Sequence, residues 1–213
     1  MTGTAGERPL RTGVIASGNG TTLQAIIDAQ GARSGVYSVE LVLTDRKNAF
    51  ARERALRAGI PAAEVLTDSS LSREERRKVV SGMVLEYASR NNLDILVLAG
   101  SLTIFTDPLI TAYSGRIINL HPALLPRFGG PGMYGRHVHE AVLASGETES
   151  GCTVHLVDSG CDTGPILLQR RVPVLPGDTP DTLAARVHEA EHTAIIDGIV
   201  ELSKQFRNRT ILF

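Results

Sequence analysis

The chain has 213 residues, 42% of them apolar and 21% charged, with a formal net charge of −1. That length supports one α/β domain with a sizeable core or, at a stretch, two small ones, and the near-neutral balance argues against a basic nucleic-acid surface or a polybasic membrane anchor. The opening MTGTAGERPL lacks the apolar core of a signal peptide, and no run is long enough to span a bilayer. Cys152 and Cys161 have neither C-x-x-C nor zinc-ligand spacing, so the expectation is a cytoplasmic protein with reduced thiols.

In chain order, RTGVIAS (11–17) reads as a buried strand. It is closed by Gly18-Asn19-Gly20 and followed by TTLQAIIDAQ, whose Leu23, Ile26 and Ile27 recur at helical spacing. YSVELVLTD (37–45) is strand-like, and NAFARERALRAG (48–59) predicts a helix stopped by Gly59 and Pro61. AAEVLT (62–67) is a candidate third strand. Ser72 and Glu75 form a capping box for a helix running to about Arg90. DILVLAG (94–100) and GRIINLH (115–121) are apolar runs of the kind parallel strands show when buried on both faces. Beyond about residue 150 the texture changes. GCTVHLVD (151–158) and GPILLQRRVPVLPGD (164–178) predict two antiparallel strands joined by SGCDT, and an amphipathic helix covers roughly 180–205. The expected fold class is α/β: a doubly wound, mostly parallel central sheet with antiparallel C-terminal strands, in one domain over 1–213.

Two stretches carry chemistry. The turn IASGNGTTLQ sits between strand and helix, where glycines admit a close ligand and free N–H groups favour an anion. It lacks the G-K-[ST] of a Walker loop and the third Gly of a dinucleotide fingerprint, so it suggests a single phosphate. The alternative is a plain tight turn capped by Thr21 or Thr22. GPGMYG (130–135) matches G-x-G-x-x-G formally but follows a proline-rich loop, so it is read as a flexible surface loop without assigned function. In RIINLHPALLP, Asn119 and His121 stand two apart and so share a strand face at the carboxyl edge of the sheet. There an amide and a protonated imidazole can stabilise a developing oxyanion, with Pro122 and Pro126 stiffening the exit. Asp162, in a Gly-flanked loop, is the candidate carboxylate to keep the imidazole charged, the alternative being that it only fixes a turn.

The segments ASGNGTTLQAIID, INLHPALLPRF, GCTVHLVD, DTGPILLQ and ARVHEAEH, colinear over roughly residues 12 to 195, together resemble the phosphoribosylglycinamide formyltransferase family of folate-dependent enzymes. The resemblance implies a Rossmann-like fold with a phosphate-binding half at about 12–115 and a catalytic, folate-binding half at about 116–205. It implies catalysis by Asn119, His121 and Asp162, and a phosphate held by Gly20, Thr21 and Thr22, where Thr22 replaces a usual Asn. His188, Glu189, Ala190 and Glu191 fall near the glycinamide, with Glu191 able to hold the reacting amine. On the folate side it implies Leu102, Thr103, Ile104 and Phe105, largely through backbone atoms, with Thr103 where many relatives carry Arg. Asn119 and Asp158, Ser159, Gly160, Cys161 and Asp162 join that side, and Arg73 meets the glutamate tail, although Arg73 also suits a solvated helix face. His137 and His155 match family histidines near the site, His155 with a structural reading preferred, and His139 and His192 are left as structural. The co-substrate implied is 10-formyltetrahydrofolate, with no metal, no nucleic acid and no membrane partner. Monomer and homodimer stay open.

Three other functions remain in view. A formyltetrahydrofolate deformylase would share the triad but normally carries an N-terminal regulatory module, for which a first strand at about residue 12 leaves no room. A methionyl-tRNA formyltransferase would bring an RNA-binding domain and a basic balance. A non-catalytic binder of a phosphorylated metabolite would not need the triad.

Overall fold

In the computed structural model, which describes residues 8–210, alternating strands and helices build one seven-stranded sheet of order β3-β2-β1-β4-β5-β6-β7. The first seven residues, part of the stretch read for a signal sequence, lie outside the described residues. The elements are β1 (Leu10–Ile15), α1 (Thr21–Gln30), β2 (Tyr37–Thr44), α2 (Phe50–Arg57), β3 (Ala62–Glu64), α3 (Arg73–Arg90) and β4 (Ile95–Leu98). They continue with α4 (Leu109–Ala112), β5 (Ile117–His121), α5 (Arg136–Ala144), β6 (Glu149–Leu156), β7 (Ile166–Pro173) and α6 (Pro180–Thr210). Strands β1 to β5 pair in parallel; β5 with β6 and β6 with β7 pair antiparallel. The expected α/β class and the change of texture near residue 150 are both present.

Pleating sorts the apolar runs into two cores. Val14, Ile95, Val97, Ile118 and Val154 face α1 and α6, meeting Leu23, Ile26, Val187 and Ile195. Ile15, Leu96, Leu98 and Ile117 face α3 and α4, meeting Val80, Val84 and Leu109. Each fully buried Leu or Ile contributes about 1.5–3 kcal/mol of apolar transfer. Ser72 Oγ accepts from the Glu75 N–H while the Glu75 carboxylate accepts from the Ser72 N–H, the reciprocal cap expected for α3. Among the described residues, no helix is long and apolar enough to cross a membrane.

Two expectations need correction. The third strand is shorter than read: the ladder with β2 runs from Ala62 to Glu64 and closes with the Val65 N–H donating to the Thr44 carbonyl at 2.8 Å, at the last residue of β2. Residues 136–144, read with no element, form α5, which buries Val138, His139 and Val142. Its apolar spacing is interrupted by His139, and this masked the helix.

Candidate active site

A cleft of about 1280 Å³ opens at the carboxyl ends of β1, β2, β4 and β5. In the strand order, β1 and β4 are neighbours from which the chain winds in opposite directions. Open α/β sheets bind ligands at such a point.

Asn119 and His121 both line the cleft from the end of β5. Across the antiparallel pairing, Asn119 faces His155 and His121 faces Thr153, so all four side chains share one face. His155 is buried, and its Nδ1–H donates to the Leu156 carbonyl at 2.8 Å. Its Nε2 therefore accepts from Asn119 Nδ2 at 3.2 Å. One amide hydrogen of Asn119 is fixed in this way, leaving the second for a ligand. The structural histidine of the sequence reading thus orients a catalytic candidate.

His121 is only 3% exposed. Its Nε2–H donates to the Phe128 carbonyl at 2.8 Å, which turns Nδ1 toward Asp162 Oδ2 at 3.5 Å. The two side chains lie 41 positions apart in sequence, and the fold brings them together. Both neighbours of the ring have left-handed backbone, φ 57 at Phe128 and φ 58 at Asp162. Asp tolerates this conformation, whereas for a residue like Phe it stores strain on the order of 1–3 kcal/mol. Thr153, fully buried, secures the exit from β5. Its hydroxyl donates to the Ala123 carbonyl at 2.6 Å and accepts from the Leu125 N–H and Gln169 Nε2, each at 3.0 Å. The stiffness assigned to prolines is shared with this hydroxyl, which carried no signal in sequence.

Two opposing influences act on the charge of His121. Burial pushes its pKa below the ordinary value, and the attraction of Asp162 and the Phe128 hydrogen bond offset that only in part. Burial thus opposes, and Asp162 favours, the imidazolium that the sequence leads one to expect. Burial alone would raise the Asp162 carboxyl. The polar neighbours His155, the Gly130 N–H and His121 outweigh it, holding the group below the usual range and ionised.

The Gly130 N–H donates to Asp162 Oδ2 at 3.0 Å. At Gly129 an added Cβ would lie 2.5 Å from Leu125 Cδ2 and 3.3 Å from the Asp162 Cβ. The loop read as a flexible surface segment instead lines the cleft from Gly130 to Gly135 and holds the carboxylate. A related correction concerns α5. His137 is exposed, against Tyr134 and Glu140, while His139 is buried and lines the cleft with an unpartnered Nδ1. Helical phase explains it: Val138, His139 and Val142 point inward.

At the other end, Gly20 precedes α1 with φ 69, and an added Cβ would lie 2.7 Å from Ala51. No side chain caps the helix, against the capped-turn alternative, so the first N–H groups of α1 remain an anion-binding end. Thr22 lines the cleft; Gly20 and Thr21, next to it at the tip of α1, do not. From α6, His188 and Glu191 line it, whereas Glu189 and Ala190 do not. His188 Nδ1–H donates to Glu191 Oε2 at 2.8 Å, and His188 Nε2 meets Thr21 Oγ1 at 2.8 Å. Substituting Gly20 by Ala should raise the KM of a phosphorylated substrate about 10-fold or more, roughly 1.4 kcal/mol, with little change for a second substrate bound near Asp162. Steady-state kinetics on both substrates tests this.

Leu102, Thr103, Ile104 and Phe105 all line the cleft, as do Asp158, Gly160, Cys161 and Asp162; Ser159 does not. The segment after β4 is held from behind. Ser17 Oγ accepts from the Leu102 N–H at 2.8 Å, and the Thr103 hydroxyl donates to Asp45 Oδ2 at 2.6 Å. Asp158 Oδ1 accepts from the Gly160 N–H at 2.9 Å and the Thr163 hydroxyl at 2.7 Å, which shapes the loop before Asp162. Arg73 lies at the cleft on an exposed first turn of α3.

This fold and this cleft define a class. Residues 10–199 match the formyl transferase family model, and the chain belongs to that family. Among its relatives, phosphoribosylglycinamide formyltransferase of Escherichia coli is 38% identical over 84% of this chain and 80% of that protein. The trifunctional purine biosynthetic protein adenosine-3 of Drosophila pseudoobscura pseudoobscura is 42% identical over 86% of this chain. The chain spans only 13% of the length of that relative. The crystal structure of glycinamide ribonucleotide transformylase 1 from Symbiobacterium toebii superposes with a TM-score of 0.84 at 35% identity, covering 95% of this chain and 94% of that one.

Proposed function

We propose that this protein transfers the formyl group of 10-formyltetrahydrofolate to the amine of 5-phosphoribosylglycinamide, a step of purine biosynthesis. The observation that carries this reading is the meeting of Asn119, His121 and Asp162, with contacts of 3.2–3.6 Å through and around His155, in one cleft that also receives the tip of α1.

In this reading the N–H groups at Gly20, Thr21 and Thr22 take the phosphate and the His188–Glu191 turn of α6 takes the glycinamide, Glu191 facing the amine. The folate lies along Leu102 to Phe105 and Asp158 to Asp162, its glutamate tail toward Arg73. The neutral amine attacks the formyl carbon, and the carbonyl oxygen gains negative charge. The free amide hydrogen of Asn119 and a proton on His121 Nδ1 stabilise that charge. Asp162 and the developing oxyanion are two negative charges beside the ring, and together they favour the imidazolium against burial, with the extra proton taken from solvent before attack. Asp162 helps carry the proton from the attacking nitrogen to the departing N10 of the folate. No covalent bond to the protein forms.

The test is folate release measured with and without phosphoribosylglycinamide. Release that requires the acceptor, with formylated product, is expected. Release without acceptor would make the protein a deformylase, and phosphate-ligand binding without release would make it a non-catalytic binder.

A further inference from the structure

Thr21, His188, Glu191 and His192 form a hydrogen-bonded chain beside the reacting groups, and the transfer reaction gives no task to the hydrogen shared between the Thr21 hydroxyl and His188 Nε2. His188 Nδ1 lies 2.8 Å from Glu191 Oε2, and a carboxylate only accepts, so Nδ1 carries a hydrogen in either charge state of the ring. Everything variable is therefore at Nε2, which lies 2.8 Å from Thr21 Oγ1 and 3.2 Å from His192 Nε2. In the neutral ring Nε2 is a lone pair, and Thr21 must spend its hydroxyl hydrogen on it. In the imidazolium Nε2 is a donor, Thr21 accepts, and its own hydrogen is free to turn toward an anion. Thr21 is exposed and is the first residue of α1, so that anion is the one the helix tip attracts.

We propose that His188 is a proton-linked positioning residue for the substrate phosphate: binding takes one proton from solvent onto His188 Nε2, which reverses its hydrogen bond with Thr21 and releases the Thr21 hydroxyl to donate to the phosphate. The inference rests on the functional reading above. The charges that act on His188 are consistent with it. On its own helix Glu191 favours the cation, and the net shift of His188 is upward, led by that hydrogen bond. Burial and the charge of His188 push His192 down, which favours the uncharged ring able to share the Nε2 hydrogen. From α1 the ring meets the Thr21 hydroxyl. His139, on α5, is pushed down by burial and drawn upward by Glu191, the carboxylate that His188 also meets.

The sign follows directly. Affinity for the phosphorylated substrate should fall as pH rises through the raised pKa of His188, by at most about tenfold per pH unit for one proton. Titration of phosphoribosylglycinamide by calorimetry, from pH 6.5 to 8.5 in two buffers of different ionisation enthalpy, counts the protons taken up. The amine and phosphate of the substrate titrate alike against every variant, so differences between variants isolate the ring. Wild type and Thr21→Ser should take up more protons than His188→Gln and Thr21→Val, and should lose affinity more steeply with rising pH. Equal uptake and equal slopes in wild type and His188→Gln, with binding and formyl transfer intact, overturn this inference alone. No binding at any pH overturns it together with the functional reading.

Discussion

Replacing His121 by Ala should lower kcat by about 100- to 1000-fold, the usual effect of removing one donor from a developing oxyanion. The side chain is 3% exposed but is polar and tied to Phe128 and Asp162, so its loss removes few apolar contacts. The KM values should change far less than kcat, because the lost interaction belongs to the transition state. Acceptor-dependent folate release, with circular dichroism to verify the fold, decides the matter. Turnover near wild type would remove His121 from the mechanism.

Asp162→Asn is the second large effect. The amide keeps the shape and can still accept from the Gly130 N–H, which now sits 3.0 Å from Oδ2. What disappears is the charge. Proton transfer by a positioned group contributes about 10²- to 10⁴-fold, so kcat should fall within that range. The pH profile gives a sharper test. The carboxylate is the largest influence raising the His121 pKa against burial. Without it, the limb of the profile that reports His121 should move to lower pH. An unchanged profile would mean that Asp162 acts on something other than the imidazole.

Much of the scaffold was legible because its signals are periodic. Apolar runs gave β1, β2, β4 and β5, and Ser72 with Glu75 marked the start of α3. Asn119 and His121 were legible as a pair because alternation along a strand puts them on one face. Asp162 could be placed beside them only through resemblance, since no local rule links residues 41 positions apart. What stayed hidden has a common cause. Thr153, Gly130 and His139 act through tertiary contacts, and nothing in their sequence neighbourhood distinguishes them from an ordinary strand threonine, turn glycine or helix histidine. The balance of forces on His121 stayed hidden for a related reason: a sequence shows the partner carboxylate but not the depth of burial that opposes it.

The pairing of β5 with β6 has a practical consequence for anyone recombining members of this family. Asn119, His121, Thr153 and His155 keep their aim through the parity of two facing pleats. Deleting or inserting a single residue in either strand would rotate its whole functional set through the sheet. Crossover points for chimeras therefore belong in connecting loops, and these two strands have to be inherited from the same parent.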